Sequence, residues 1–261
     1  MSGATGGDPS SGATEVRVRP VLGLPEIRAA DPLGALIADR AGELVDGDVV
    51  VISQKVVSKA EGRTRKLSSV IPSGEASKLA RILGKEPNLV QLILEESSEV
   101  VRAERGVLIV ETRHGLVCAN AGIDSSNVEG DDTVLLLPED PDASARRLRA
   151  EIGAASGARI GVVIADSFGR AWRIGQAEVA IGCAGLVPID DWRGRHDAGG
   201  RELMATQIAI ADEAAGAADL VRDKAAAVPA AVVGGLVRWV TEDDGPGAAA
   251  IRRPREDDLF R

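Results

Sequence analysis

The segment Arg159-Ile160-Gly161-Val162-Val163-Ile164-Ala165, continued by Asp166-Ser167-Phe168-Gly169-Arg170, reads as a buried strand that hands a carboxylate and a hydroxyl to its own end. A second β-branched run, Val49-Val50-Val51-Ile52, has the same unbroken apolar character. Such runs belong inside a sheet covered on both faces. Both are followed by polar groups: Asp166 and Ser167 after one, Ser53, Gln54 and Lys55 after the other. The carboxyl ends of buried strands are where sheets tend to place ligand chemistry.

Outward from these two runs, short β-like stretches mix with helical patterns. Val16 and Val18 alternate with Arg17 and Arg19, a half-buried strand. Asp31 reads as an N-cap with Pro32 in the first turn, ahead of a stripe of Leu33, Leu36, Ile37 and Ala41. Helices are expected over 73–83 and 87–102, the second opened by Pro87. Residues 106–110 and 116–118 form a hairpin around Arg113-His114-Gly115. Further strands are expected at 134–137, 177–182 and 230–233, and helices from Pro141 to near Gly153 and from Met204 to Lys224. With no repeating period, the fold class is α+β, an irregular mixture of sheet and helix. One domain is expected over 15–261. Residues 1–14, rich in Gly, Ser, Ala and Thr, read as a disordered tail without the basic start or apolar run of a signal peptide.

Composition narrows the function. The 261 residues are 44% hydrophobic and 27% charged, an ordinary soluble globular balance. Lys+Arg 31 against Asp+Glu 40 gives a net charge of −9, which argues against sequence-independent nucleic-acid binding. Aromatic residues are only 2% with no Tyr, so base-stacking platforms and membrane belts are not expected. No apolar run approaches the roughly 20 residues that span a bilayer. Cys118 and Cys183 cannot build a disulfide framework and read as buried thiols in a reducing cytoplasm. With only His114 and His196 beside them, any metal is expected to be a hard cation on carboxylate oxygens.

The usual nucleotide and hydrolase signatures are missing. Gly84-Lys85 is followed by Glu86 where a phosphate-binding loop needs Ser or Thr. No Gly-x-Ser-x-Gly elbow exists. Four polar segments remain. Asn120-Ala121-Gly122-Ile123-Asp124-Ser125-Ser126-Asn127 suits a metal beside a phosphate, or a self-bonded Asx/Ser turn. Asp166 to Arg173 offers a carboxylate, a hydroxyl and two arginines for a cation and an anion, or a helix N-cap with solvated arginines. Ser53 to Gly62 carries Lys55 and Lys59, which suit phosphates as point charges or form a solvated face. Asp191 to Glu202 is basic and turn-like, and either binds an anion or pairs its own charges. Trp172, Trp192 and Trp239 read as packing residues.

In this order the segments resemble the coenzyme F420-0:L-glutamate ligase family, also called F420-0:gamma-glutamyl ligase. The likeness runs from about Val16 to Phe260. It is carried by Gly23-Leu24-Pro25-Glu26-Ile27, Ser53 to Gly62, Asn120 to Asn127, Asp166 to Arg173, Gly199 to Glu202 and Glu256-Asp257-Asp258-Leu259-Phe260. The resemblance implies an unusual α+β fold forming an intertwined homodimer. It implies GTP-dependent ligation of L-glutamate to F420-0 through an acyl phosphate, with Mg²⁺ or Mn²⁺ as the divalent cation and K⁺ assisting. Leu24, Pro25, Glu26, Ile27, Ser53, Gln54, Lys59 and Asn127 would contact GTP. Asp124 and Asp166 would hold one metal, Ser167 would help hold a second, and Glu202 would add a ligand. Asp124, Asp166 and Lys59 would carry the chemistry, with Arg170, Arg173, Arg193 and Arg195 as clamps for anionic substrates. Two departures touch the acceptor: Ala198-Gly199-Gly200 stands where an aromatic residue often precedes Arg201, and Val233-Gly234-Gly235 where Val-Arg-Gly is frequent. Other readings are γ-glutamylation of a different pterin-like or folate-like acid, and a non-catalytic GTP-binding module.

Overall fold

The computed structural model describes residues 15–124, 132–222 and 227–260. The tail 1–14 and the residues Ser125, Ser126 and Asn127 lie outside the described residues. In chain order the elements are β1 (Arg17–Pro20), α1 (Leu33–Arg40), β2 (Val49–Ser53), α2 (Gln54–Ala60), β3 (Thr64–Lys66), α3 (Gly74–Leu83), α4 (Pro87–Glu95), β4 (Ser97–Glu104), β5 (Val107–Thr112) and β6 (Val117–Ala119). They continue with β7 (Thr133–Leu135), α5 (Pro141–Ser156), β8 (Gly161–Arg170), β9 (Arg173–Ala184), β10 (Asp190–Asp191), β11 (Gln207–Ile208), α6 (Ile210–Asp219) and β12 (Ala230–Gly234).

The two apolar runs lie side by side at the centre. The main sheet has the order β1-β12-β2-β8-β9, and only β2 and β8 pair in parallel. Their register sets Ile52 against Ile164 and Ser53 against Ala165, so both polar ends leave the sheet together. Alternate side chains of the same strands feed two cores. Val50, Ile52, Val162 and Ile164 pack with Ile37 of α1 and Leu148 and Ile152 of α5. Val49, Val51, Val163 and Ala165 pack with Ala211, Ala214, Ala215 and Ala218 of α6. The small alanines let α6 approach the sheet closely. A third core joins α3 and α4 to the three-stranded sheet β4-β5-β6 through Ala80, Val90, Ile93, Leu108 and Val110. The class is therefore α+β, with several sheets.

Ile164 is fully buried at the parallel seam. Truncation to Ala should cost about 2–5 kcal/mol, because the covered sheet cannot collapse around the cavity. Urea unfolding checks this, and a loss below about 1 kcal/mol would contradict the packing.

Several boundaries differ from expectation, each for a local reason. The helix predicted over 87–102 stops at Glu95, and the β-branched pair Val100-Val101 continues in β4, which pairs with β5. Helix α1 starts one residue late, at Leu33, because the Asp31 carboxylate accepts from the Arg28 N–H at 2.7 Å instead of capping. Of the described residues in the helix predicted over 204–224, α6 covers 210–219. Asp166 caps no helix. Strand β8 runs on through it to Arg170 and forms a long hairpin with β9.

Candidate active site

A cleft of about 1780 Å³ opens where β2 and β8 end. From the first half of the chain it is lined by Leu24, Pro25, Glu26, Ile27, Ser53, Lys55 and Lys59. Asp124, Asp166 and Ser167 line it as well. Segments more than a hundred residues apart in sequence thus meet at one site.

The helix that follows β2 determines which lysines arrive. In α2, Lys55 and Lys59 are four residues apart and share a face. Lys55 Nζ lies 2.5 Å from Asp124 Oδ2. Lys59 Nζ lies 2.5 Å from Glu26 Oε1, its own side chain largely covered while Glu26 is exposed. Gln54 points the other way. It is fully buried, accepts from the Ser58 hydroxyl at 3.0 Å, and its Nε2 has no hydrogen-bond partner among the described residues. Its side chain does not line the cleft.

Asp124 is delivered by a strained turn. Asn120 and Ala121 both have φ 54, in the left-handed region that costs an L-residue about 1–2 kcal/mol. Gly122 follows at φ +68, where a Cβ would sit 2.8 Å from Leu137 Cδ1. Asp124 then bridges to Leu135 through two backbone hydrogen bonds of 3.0 and 2.8 Å, which fix its depth in the cleft. Strain of this kind concentrates where a side chain must be held in place for use.

Asp166 stands in an acidic neighbourhood. Burial pushes its carboxyl up to about 7 from an ordinary 3.8. The Glu178 and Asp124 carboxylates push the same way, against the Ser167 backbone N–H and the Lys55 ammonium. Cys118 lies close enough that burial, and then the Asp166 charge, push its thiol up to about 12. Such a thiol is a poor nucleophile and a poor ligand at neutral pH. Two carboxylates and a hydroxyl in one wall form a hard oxygen set. Among the described residues no three His, Cys, Asp or Glu side chains converge on one metal point. Asp124 and Asp166 have the oxygen chemistry that suits a hard divalent cation such as Mg²⁺.

Other predicted residues lie elsewhere. Glu202 is exposed and bridges to His196 on the arm that carries β10 and β11, outside the cleft lining. Arg193 pairs with Asp191 at 2.5 Å, and Arg195 pairs with Asp190 at 3.2 Å and stacks over Trp192. That arm pairs its own charges. Of the four arginines proposed as clamps, only Arg170 lines the cleft. Asn127 lies outside the described residues.

The cleft also holds residues that the sequence did not single out. Arg102 enters from β4, a strand hidden by the helical reading of 87–102. Glu178 and Arg222 form a buried pair in the wall. Trp172, expected to pack, is 80% exposed at the rim against Phe260, with ring centroids 5.9 Å apart. An isolated acid such as Glu178 in an apolar strand was the one available signal.

A model of the F420-0:gamma-glutamyl ligase family matches residues 22–235. The chain belongs to this family. The matched span holds the Leu24–Ile27 segment, both lysines, Asp124, Asp166 and the Glu178–Arg222 pair, and excludes Phe260. Coenzyme F420:L-glutamate ligase of Methanothermobacter thermautotrophicus is 45% identical over 246 residues, 92% of this chain and 97% of that protein. The protein of that name from Archaeoglobus fulgidus is 44% identical over 248 residues, 94% of this chain and 96% of its own. A third, from Methanocaldococcus jannaschii, is 42% identical over 217 residues, 83% of this chain and 85% of its own. As a family member the chain is a ligase-type enzyme whose cleft lies at the β2 and β8 ends. No helix of the described residues is long and apolar enough to cross a membrane.

Proposed function

We propose that the protein joins L-glutamate to F420-0 with GTP as the energy source. The observation that carries this reading is the meeting of Asp124, Asp166 and Ser167 with Lys55, Lys59 and the Leu24–Ile27 segment around one cleft. Such a site suits phosphoryl transfer. It is rich in oxygen donors and fixed cations, and its one lining thiol, Cys118, is held protonated.

Amide formation from a carboxylate needs an activated acyl group. The carboxylate of the F420-0 arm attacks the γ-phosphorus of GTP, the bond to the β-phosphate oxygen breaks, and GDP leaves. The glutamate amine then attacks the acyl phosphate, loses a proton and expels inorganic phosphate. A divalent cation, Mg²⁺ or Mn²⁺ with K⁺ assisting, supplies neutralisation of the charge on the transferring phosphoryl. Asp124 and Asp166 hold that cation, and Ser167 adds an oxygen to a second. Lys59 sets a point charge at the phosphates, and Leu24 to Ile27 with Ser53 shape the nucleotide side. Arg170 at the rim suits the carboxylates of the acceptor and of glutamate. Asn127 and Glu202 belong to the same proposal, as does a homodimer.

The test incubates the protein with GTP, Mn²⁺, L-glutamate and F420-0, and reads acceptor mass together with GDP. An acceptor heavier by glutamate residues, with one GDP per residue added, is expected. GDP without a heavier acceptor would point to GTP hydrolysis or to a different acceptor, such as another pterin-like or folate-like acid. Neither product would point to a binding module.

A further inference from the structure

Strand β9 carries a charge where its neighbours are apolar. Glu178 is 5% exposed and sits directly across from Ser167 in the β8–β9 register. A buried carboxylate is expensive unless paired and hydrogen-bonded. Both conditions are met. The Ser167 hydroxyl donates to Glu178 Oε1, and Arg222 Nη2 lies 2.5 Å from Glu178 Oε2, the two side chains 6% and 4% exposed.

The pair is poorly built as a stabilising element. Arg222 comes from just beyond α6, and its Nη2 also reaches Asp219 at 3.5 Å. Among the described residues its Nε and Nη1 have no hydrogen-bond partner. A buried ion pair with such donors left unsatisfied contributes little net stability, and an apolar pair of similar volume often serves the fold as well. What this pair does achieve is directional. A carboxylate held by a guanidinium only accepts, so the proton in the Ser167–Glu178 bond belongs to Ser167. The Ser167 oxygen then presents lone pairs, not a proton, on its other side. Ser167 adjoins Asp166, and both line the cleft.

We infer that Glu178, clamped by Arg222, is a positioning residue that accepts the hydrogen bond of the Ser167 hydroxyl and thereby turns the lone pairs of the Ser167 oxygen toward a divalent cation in the cleft. This rests on the reading that Asp166 and Ser167 face such a cation. Partners standing behind metal ligands typically change affinity by about 10–100-fold when removed.

The experiment measures Mn²⁺ affinity of the full chain with GDP present, from the free-Mn²⁺ electron paramagnetic resonance signal. Glu178→Gln keeps the shape. Arg222 fixes the amide oxygen, so the amide NH₂ faces Ser167 and reverses the bond. The expected result is a loss of Mn²⁺ affinity of at least ~10-fold, and no further loss when Ser167→Ala is already present. The paired variant Glu178→Met/Arg222→Met, which removes both charges together, should show the same dependence on Ser167. Equal losses with and without the Ser167 hydroxyl, no loss at all, or a wild-type chain that binds no Mn²⁺ would each overturn the inference. A wild-type chain that binds Mn²⁺ in this Ser167-dependent way yet makes no glutamylated product would sink the ligase reading and leave the role of Glu178 standing.

Discussion

Asp166→Asn is expected to cut ligation turnover by at least ~100-fold, the scale of losing one electrostatic element in the transition state, while making the protein more stable without divalent cation. The second effect follows from the raised carboxyl. Asp166 titrates near 7 in the folded chain, against an ordinary 3.8. Between these values the folded state keeps a proton that the unfolded state has lost. Stability therefore falls as pH rises across that window and stays lower above it. Asparagine carries no such proton and removes the slope. At pH 8 with chelator, the variant should gain roughly 1–3 kcal/mol in urea unfolding, and the gain should vanish below pH 4. Saturating Mn²⁺ should narrow or reverse the difference by binding only the folded wild type. An Asp166→Asn protein that is less stable at pH 8 would show that burial and neighbouring charge do not govern this group.

Asp124→Asn should likewise cost at least ~100-fold in turnover, but with a different stability signature. Asp124 is partly exposed and already faces Lys55 at 2.5 Å. Removing the carboxylate separates Lys55 from its partner without relieving a deeply buried charge. Partly exposed pairs contribute at most about 1 kcal/mol, so stability at pH 8 should fall slightly or hold. Lys55 would then turn toward Asp166 and lower its carboxyl, which a carbon-13 titration of the Asp166 side chain would read. Near-normal turnover in this variant would remove Asp124 from the cation site. Opposite stability changes for two acids with the same catalytic loss would separate their environments from their shared role.

The centre of this fold was readable because its strands are made of one kind of residue. Val49 to Ile52 and Val162 to Ala165 have no polar member, and both are fully buried. The edges were harder. Residues 87–102 begin with Pro87 and a helical stripe, and only the pairing of β4 with β5 turns Val100 and Val101 into strand. That pairing is a tertiary choice which local propensity does not contain. It also hid Arg102, which reaches the cleft only because it stands on a strand. The acids Asp124 and Asp166 were legible as a carboxylate in a Gly-turned loop and a carboxylate after a buried run. Glu178 and Arg222 were not, because the need for a partner becomes visible only when burial and cross-strand register are known. Trp172 was misjudged for a related reason. β8 and β9 extend past the sheet as a hairpin, and its tip leaves Trp172 and Ile174 exposed.

The most direct measurement is the anomalous scattering of Mn²⁺ in crystals of the protein grown with Mn²⁺ and GDP. A peak within coordination distance of both the Asp124 and the Asp166 carboxylates, with a β-phosphate oxygen on the same ion, is the predicted result. A peak bound to neither acid, or a nucleotide lying away from Leu24–Ile27 and Lys59, would contradict it.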